Sequence, residues 1–322
     1  MRRREFIGLV AGAVASPLKA RAQEPGRVYR MAFFTPSLRS SDAVAAMLEE
    51  LGIHGFVQGK NLEVLSEGFG VSGSQAAELA ASLVKASPDV IVTASEPYLR
   101  ALQQNTRSIA VIGMTEDMVT EGFAATLARP GSNITGLSLL SPELDGKRLE
   151  ILIEAVPGAT KIAVLAESRV TQQRHIDELQ EAARARGVSF VVAGVASRDE
   201  VLPAIESFKR SGAQAVTFLA GPLFSINGGA FIQRARELRL PSIFQWAENA
   251  EEGALIAYGP RLTEMYRERT QMVMKVLRGA TPADIPVEQP SKFELVINLN
   301  TAKAIGLEIP AGLLLRADKL IE

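Results

Sequence analysis

The chain alternates short, continuously apolar runs with stretches of helical periodicity, and it does so in two successive series. The runs at 28–34, 89–94, 108–113, 161–166, 188–194, 214–220, 241–246 and 254–258 read as strands. Most lack polar alternation, the pattern of parallel strands covered on both faces. Between them Val44, Met47, Leu48 and Leu51 follow the i, i+3, i+4, i+7 spacing of an amphipathic helix. Leu149, Leu152, Ile153 and Val156 repeat it, as do Val201, Ala204, Ile205 and Phe208. Strand–helix alternation of this kind dictates an α/β protein with doubly wound parallel sheets and right-handed crossovers. About 300 residues exceed a single core, and each series is long enough for its own sheet. The expectation is two doubly wound lobes joined by a multi-strand hinge. Lobe one spans 28–139 plus 255–284, and lobe two spans 140–254 plus 285–322. The segment 133–142 is expected to make the first crossing. The helix Leu262–Leu277 and the proline-rich 281–290 imply a return to lobe one.

Residues 1–22 read as an export signal rather than as part of the fold. Arg2, Arg3 and Arg4 precede a short apolar run at 6–15, and Ala20-Arg21-Ala22 offers a small-x-small cleavage site. The run is about half the ~20 residues of a membrane span. Arg3-Arg4-Glu5-Phe6-Ile7 resembles the twin-arginine motif, with an ordinary secretory signal as the alternative. The expected location is the periplasm, after cleavage near Ala22. The chain has no cysteine, which excludes disulfides, thiolate metal sites and an acylated lipobox. Removing residues 1–22 takes five basic side chains and one acid from totals of 35 and 36 and leaves a net charge of −5. An acidic chain without a basic run is a poor partner for nucleic acid.

Catalytic signatures are sparse. Gly68-Phe69-Gly70-Val71-Ser72-Gly73 matches G-x-G-x-x-G, and an exported dinucleotide-dependent oxidoreductase is the rival reading. Against it, the motif follows the second strand rather than the first. Asp89, the nearest candidate acid for a ribose, opens a strand instead of ending one. Ser72 or Ser74 could simply cap the next helix. The two histidines, His54 and His175, show no metal-ligand spacing, and His175 is expected on a solvated surface. Neither a nucleophile elbow nor a P-loop is present. No cofactor, metal or catalytic residue is expected.

Three segments resemble one family. They are the opening Arg-Arg-Arg-Glu-Phe-Ile, the stretch Gly122-Phe-Ala-Ala-Thr-Leu-Ala-Arg-Pro-Gly-Ser-Asn-Ile-Thr-Gly136, and Phe293-Glu-Leu-Val-Ile-Asn-Leu-Asn-Thr-Ala-Lys303. The chain is similar over essentially its whole length to ABC-transporter substrate-binding proteins related to tryptophan/tyrosine-type uptake receptors. The resemblance implies a type I periplasmic-binding fold with three inter-lobe crossings, and a permease and an ATPase as partners. It also implies a binding protein rather than an enzyme. LacI-type regulators share the implied fold but begin with a DNA-binding helix-turn-helix, where this chain has its signal. A monomer is expected, and a subunit that presents its ligand to a receptor kinase is a further alternative.

Ligands of open α/β sheets sit beyond the carboxyl ends of the strands. Thr35, Ser37 and Ser95 follow lobe-one strands and open toward helix N-termini, where hydroxyls and amides suit a carboxylate. Glu116 and Asp117 follow another strand and suit an ammonium group; relatives often carry Asp-Pro where this chain has Asp117-Met118. In lobe two Ser168, Phe224, Trp246 and Tyr258 occupy the equivalent strand ends. The three aromatic residues could wall a site for an aromatic or branched apolar amino acid, since one buried ring gains on the order of 4–6 kcal/mol before ordering costs.

Overall fold

The computed structural model describes residues 26–72, 75–225 and 228–322. The expected export signal with its cleavage point lies outside them, as do Gly73 and Ser74 of the glycine motif. Two separate sheets organise the chain. The first has the order β2-β1-β3-β4-β5 and is parallel throughout. It contains β1 (Tyr29–Phe34), β2 (Leu62–Val64), β3 (Val90–Thr93), β4 (Ala110–Thr115) and β5 (Ile134–Ser138). The second has seven strands in the order β12-β11-β10-β9-β8-β6-β7. These are β6 (Lys161–Glu167), β7 (Ser189–Val195), β8 (Ala215–Phe218), β9 (Ser242–Phe244), β10 (Ile256–Gly259), β11 (Glu294–Asn298) and β12 (Lys319–Ile321).

Both faces of the inner strands are covered, which is why they carry no polar alternation, whereas the edge strands β7 and β12 are largely exposed. In lobe one Met31, Phe33, Val92 and Ile112 point to one side. There they meet Val44 and Met47 of α1 (Asp42–Ile53) and Met272 and Val273 of a long helix, α10 (Leu262–Leu277). Ala32, Phe34, Ile91 and Val111 point to the other side. They pack against Ala80 of α2 (Ala76–Lys85) and Leu99 of α3 (Glu96–Asn105). Lobe two repeats the arrangement. Ile162 and Ile243 face Leu152 of α4 (Ser141–Ala155), whereas Leu165 and Val216 face Ile205 of α6 (Arg198–Arg210). The helix α5 (Gln173–Arg184) lies between them in sequence.

The chain crosses between lobes three times: after β5 at 139–140, after β10 at 260–261, and between Glu288 and Glu294. The crossings explain the one antiparallel pair. β10 runs toward the gap and leaves at its end, so β11 enters from the gap and must run away from it. Ile256–Gly259 therefore belongs to lobe two, and the expected boundary at 255 fails. A strand that hands the chain across must first be paired in the sheet it leaves, and β10 pairs with β9 and β11. The third return likewise comes later than 284. Glu288 still pairs in lobe one, its amide bonded to Gly136 O and its carbonyl to Ser138 N. Two ties pin the crossings together. Glu248 on α9 (Ala247–Glu251) of lobe two accepts the amides of Leu262 and Thr263 at 3.2 Å, capping the lobe-one helix α10. Arg261 bonds Glu294 at 2.9 Å and Glu251 at 3.0 Å, joining the second crossing to the third.

His175 is not the solvated residue expected. Its Nε2 lies 2.8 Å from Asp145 Oδ2, and Asp145 Oδ1 accepts from buried Arg148 at 2.5 Å. Arg148 also donates to Tyr258 O at 2.8 Å, which ties α4 to β10. Burial alone would lower the His175 pKa. The hydrogen bond and charge of Asp145, with Glu116 and Glu178 adding, outweigh it and carry the pKa above its ordinary 6.5.

A folded-state pKa above the unfolded one gives stability that is complete below about pH 6.5 and disappears as the pH rises through the folded value. His175→Gln should therefore cost most in mild acid, on the order of 1.5–3 kcal/mol for a charge-assisted bond. The difference from wild type should shrink toward alkaline pH, as read by urea unfolding across a pH series. A difference that grows with pH would contradict the assignment. A second expectation concerns Gly68, at φ +97°, where an added Cβ would stand 2.0 Å from Phe33 O. Gly158, at φ +81°, has open space around it. Gly68→Ala should lose clearly more stability than the roughly 1–2 kcal/mol that left-handed backbone alone costs in Gly158→Ala. Equal losses by thermal unfolding would show that close approach is not what requires the glycine.

Candidate functional site

Because the strands of the first sheet and β6, β8, β9 and β10 of the second end at the gap, their loops face each other there. Between them lies a cavity of about 500 Å³, within the ~300–1,000 Å³ range of small-molecule sites.

One end is built of hydroxyls and helix N-termini. Thr35 and Ser37 follow β1, Ser41 precedes α1, and Ser95 precedes α3; all four line the cavity. Neither Ser41 nor Ser95 uses its hydroxyl to cap its helix. Ser95 is held at φ +67°, ψ +153°, sparsely populated backbone for a residue with a side chain. Its amide bonds Met114 O at 2.7 Å, which fixes the loop to β4. The Thr35–Ser37 loop is secured by the glycine motif. Thr35 N donates to Gly68 O, Gly70 N to Ser37 O and Val71 N to Thr35 O, at 2.9–3.1 Å. Gly70 and Val71 thus spend on lobe-one backbone the amides a phosphate cradle would offer. Asp89 is likewise committed at the far end of the sheet, to Arg30 N and the Arg27 guanidinium, both at 2.7 Å.

The remaining walls are mostly apolar. Met114 and Leu139 come from lobe one, Trp246 from lobe two, and Leu262 and Tyr266 from the first turns of α10. Trp246 is 4% exposed and packs with the lobe-one apolar cluster, so its ring spans the gap. Among the described residues that line it, Glu116 is the only ionisable acid, and there is no Lys, Arg or His.

The nine residues expected at the site separate as follows. Thr35, Ser37, Ser95, Glu116 and Trp246 are brought together around this cavity. Asp117 is not on it. Its Oδ1 accepts the amides of Val119 and Thr120, its Oδ2 the Thr120 hydroxyl, and it faces a second cavity of about 270 Å³ with Glu121, Glu143 and His175. Burial raises its pKa, but the Thr120 and Val119 bonds outweigh this and leave it below the ordinary value. Glu116 lines both cavities. The expected aromatic wall is reduced to Trp246. Phe224 is buried edge-on to Phe218, at 5.6 Å between ring centroids. Tyr258 points to the α4 side of the sheet, toward Phe293. Ser168, whose amide bonds Val195 O, sits under Gly194 beyond the lining. Sequence reasoning passed over Ser41, Gln245, Leu262 and Tyr266. The signal for the last two was their i, i+4 spacing at the start of a helix already assigned to lobe one.

Comparison with known proteins fits this architecture. A tyrosine-binding protein from Clostridioides difficile is 27% identical over 278 residues, covering 85% of this chain and 78% of that protein. Two solved structures share the fold. A conserved domain protein from Vibrio cholerae has a TM-score of 0.79 at 24% identity, covering 91% of this chain and all of that one. An ABC domain from Streptococcus pneumonia in complex with L-Trp has a TM-score of 0.77 at 21% identity, with the same coverages. The model of one family, the ABC transporter substrate binding proteins, matches residues 36–321. The chain belongs to that family.

Proposed function

We propose that this protein is the exported receptor of an ABC importer, closing on an amino acid with an aromatic or branched apolar side chain and presenting it to a permease and its ATPase. The observation that carries this reading is the asymmetry of the inter-lobe cavity: hydroxyls and helix N-termini at one end, a single carboxylate, and apolar walls elsewhere. Helix N-termini and the Ser37, Ser41 and Ser95 hydroxyls suit a carboxylate. Glu116 suits an ammonium group and takes the part expected of Asp117. Trp246, Leu262 and Tyr266 suit an apolar side chain. The tyrosine-binding relative and the L-Trp complex support the same class of ligand. The leader-like residues 1–22 support export to the periplasm, and no helix among the described residues is long and apolar enough to cross a membrane.

Both lobes contribute to the cavity, so some ligand contacts exist only when the lobes approach, and ligand shifts the population toward closure. Trp246 is the sole tryptophan and gives the test. Selective excitation of its indole should show a saturable emission change on titration with L-tyrosine, L-phenylalanine or L-leucine. The same ligand at ~100 times its Kd should stabilise the protein by about 2.7 kcal/mol. Ser95→Ala should weaken binding by roughly tenfold, the size of a bond to a charged group, while the unliganded melting temperature stays put. If no amino acid alters emission or melting temperature, the amino-acid reading fails.

A further inference from the structure

Among the described residues two arginines are almost wholly buried, and only one of them has a carboxylate partner. Arg148 has Asp145 at 2.5 Å. Arg269, on α10, is 2% exposed and has no carboxylate within ion-pair distance among the described residues. Its Nη2 donates to Thr93 O at 2.6 Å, its guanidinium carbon stands 5.2 Å from the centroid of the Tyr266 ring, and its Nε has no hydrogen-bond partner. A guanidinium keeps its charge at neutral pH even where burial disfavours the charged form, as it does here. Buried charges are ordinarily paired, because an isolated one is costly. The Thr93 carbonyl and the Tyr266 ring offset part of that cost, but no carboxylate among the described residues balances the charge.

The position of the unbalanced charge gives it a use. Thr93 ends β3, and the next two residues, Ala94 and Ser95, form cavity wall; Tyr266, over which the guanidinium lies, forms the adjoining wall. Arg269 thus stands one layer behind the hydroxyl end of the cavity, and Glu116 belongs to the lining itself. We infer that Arg269 is a charge-selecting residue that acts through the wall, favouring ligands with an anionic group, such as a carboxylate, lodged against Ala94–Ser95 and Tyr266. The inference rests on the amino-acid reading above and adds the source of its selectivity. Neutral hydroxyls alone would accept an amide nearly as well as an acid. A low-dielectric positive charge behind them does not. Arg269 is a positioning and selecting residue, not one that touches the ligand.

The test compares L-phenylalanine, L-phenylalaninamide and phenethylamine, titrated into the full chain as wild type, Arg269→Met and Arg269→Lys. The wild type should bind the amino acid at least about tenfold more tightly than either uncharged-end analogue. Arg269→Met should bring that ratio to within about threefold by weakening the amino acid alone, and Arg269→Lys should retain most of it. A wild-type ratio near one overturns the inference whether or not the variants fold. Equal weakening of all three compounds by Arg269→Met, with Arg269→Lys equally impaired, also overturns it, because that is the signature of a merely structural arginine. Binding of none of the three by wild type would instead bring down the amino-acid reading, and this inference with it.

Discussion

Parallel strand direction is the constraint from which the rest follows. A sheet whose strands point one way gathers its carboxyl-end loops along a single edge, and both faces are occupied by the returning helices. Two such sheets, joined where strands run out, leave their loop edges facing one gap. Thr35, Ser95 and Glu116 reach the cavity because β1, β3 and β4 are neighbours in one sheet. Gln245 and Trp246 reach it because β9 ends opposite them. Strand ends that meet across one gap are enough to explain each of these positions.

Polar groups inside the protein divide into those that hold the scaffold and those turned toward the gap. Asp145, Arg148 and His175 hold lobe two together, and Arg148 reaches across to the carbonyl of Tyr258. Glu248 and Arg261 hold the crossings. Leu140, at the first crossing, adopts left-handed backbone at φ +55° without being glycine, and its amide bonds Glu116 O. Strain of this kind persists only where surrounding bonds enforce it. It places a loaded joint directly beside the one acid of the cavity wall.

Much of the architecture was legible in the sequence. All eight apolar runs are strands; for seven of them burial on both faces leaves a strong pattern, and the eighth, β7, is an edge strand whose run is largely exposed. Four strands escaped notice, for physical reasons: β2 and β12 are three residues long, too short for any periodicity, β11 has only Leu295, Val296 and Ile297 between polar ends, and β5 looked like a connection because Thr135 and Gly136 interrupt it. Gly136 is there because its Cβ would stand 2.0 Å from Gly113 O, a contact between neighbouring strands that sequence does not display. The site was legible as far as strand ends could be located. It failed where side-chain phase mattered. Tyr258 and Trp246 both lie near strand ends, yet Tyr258 points into the sheet–helix layer and Trp246 into the gap. Asp117 and Glu116 are neighbours, yet Asp117 folds back onto its own turn while Glu116 lines the inter-lobe cavity. Spacing along the chain carries no information about such choices, which depend on neighbouring strands.

The interleaving of the lobes also sets a timetable for synthesis. The five strands of the first sheet are complete by Ser138, but one face of that sheet lacks α10 until residue 277 has been made. In the interval Met114, Leu137 and their neighbours have no covering helix on that side, while the ribosome extends most of lobe two. That layer of the first sheet cannot close before the long helix has been made, and apolar surface left open in the interval is prone to wrong association.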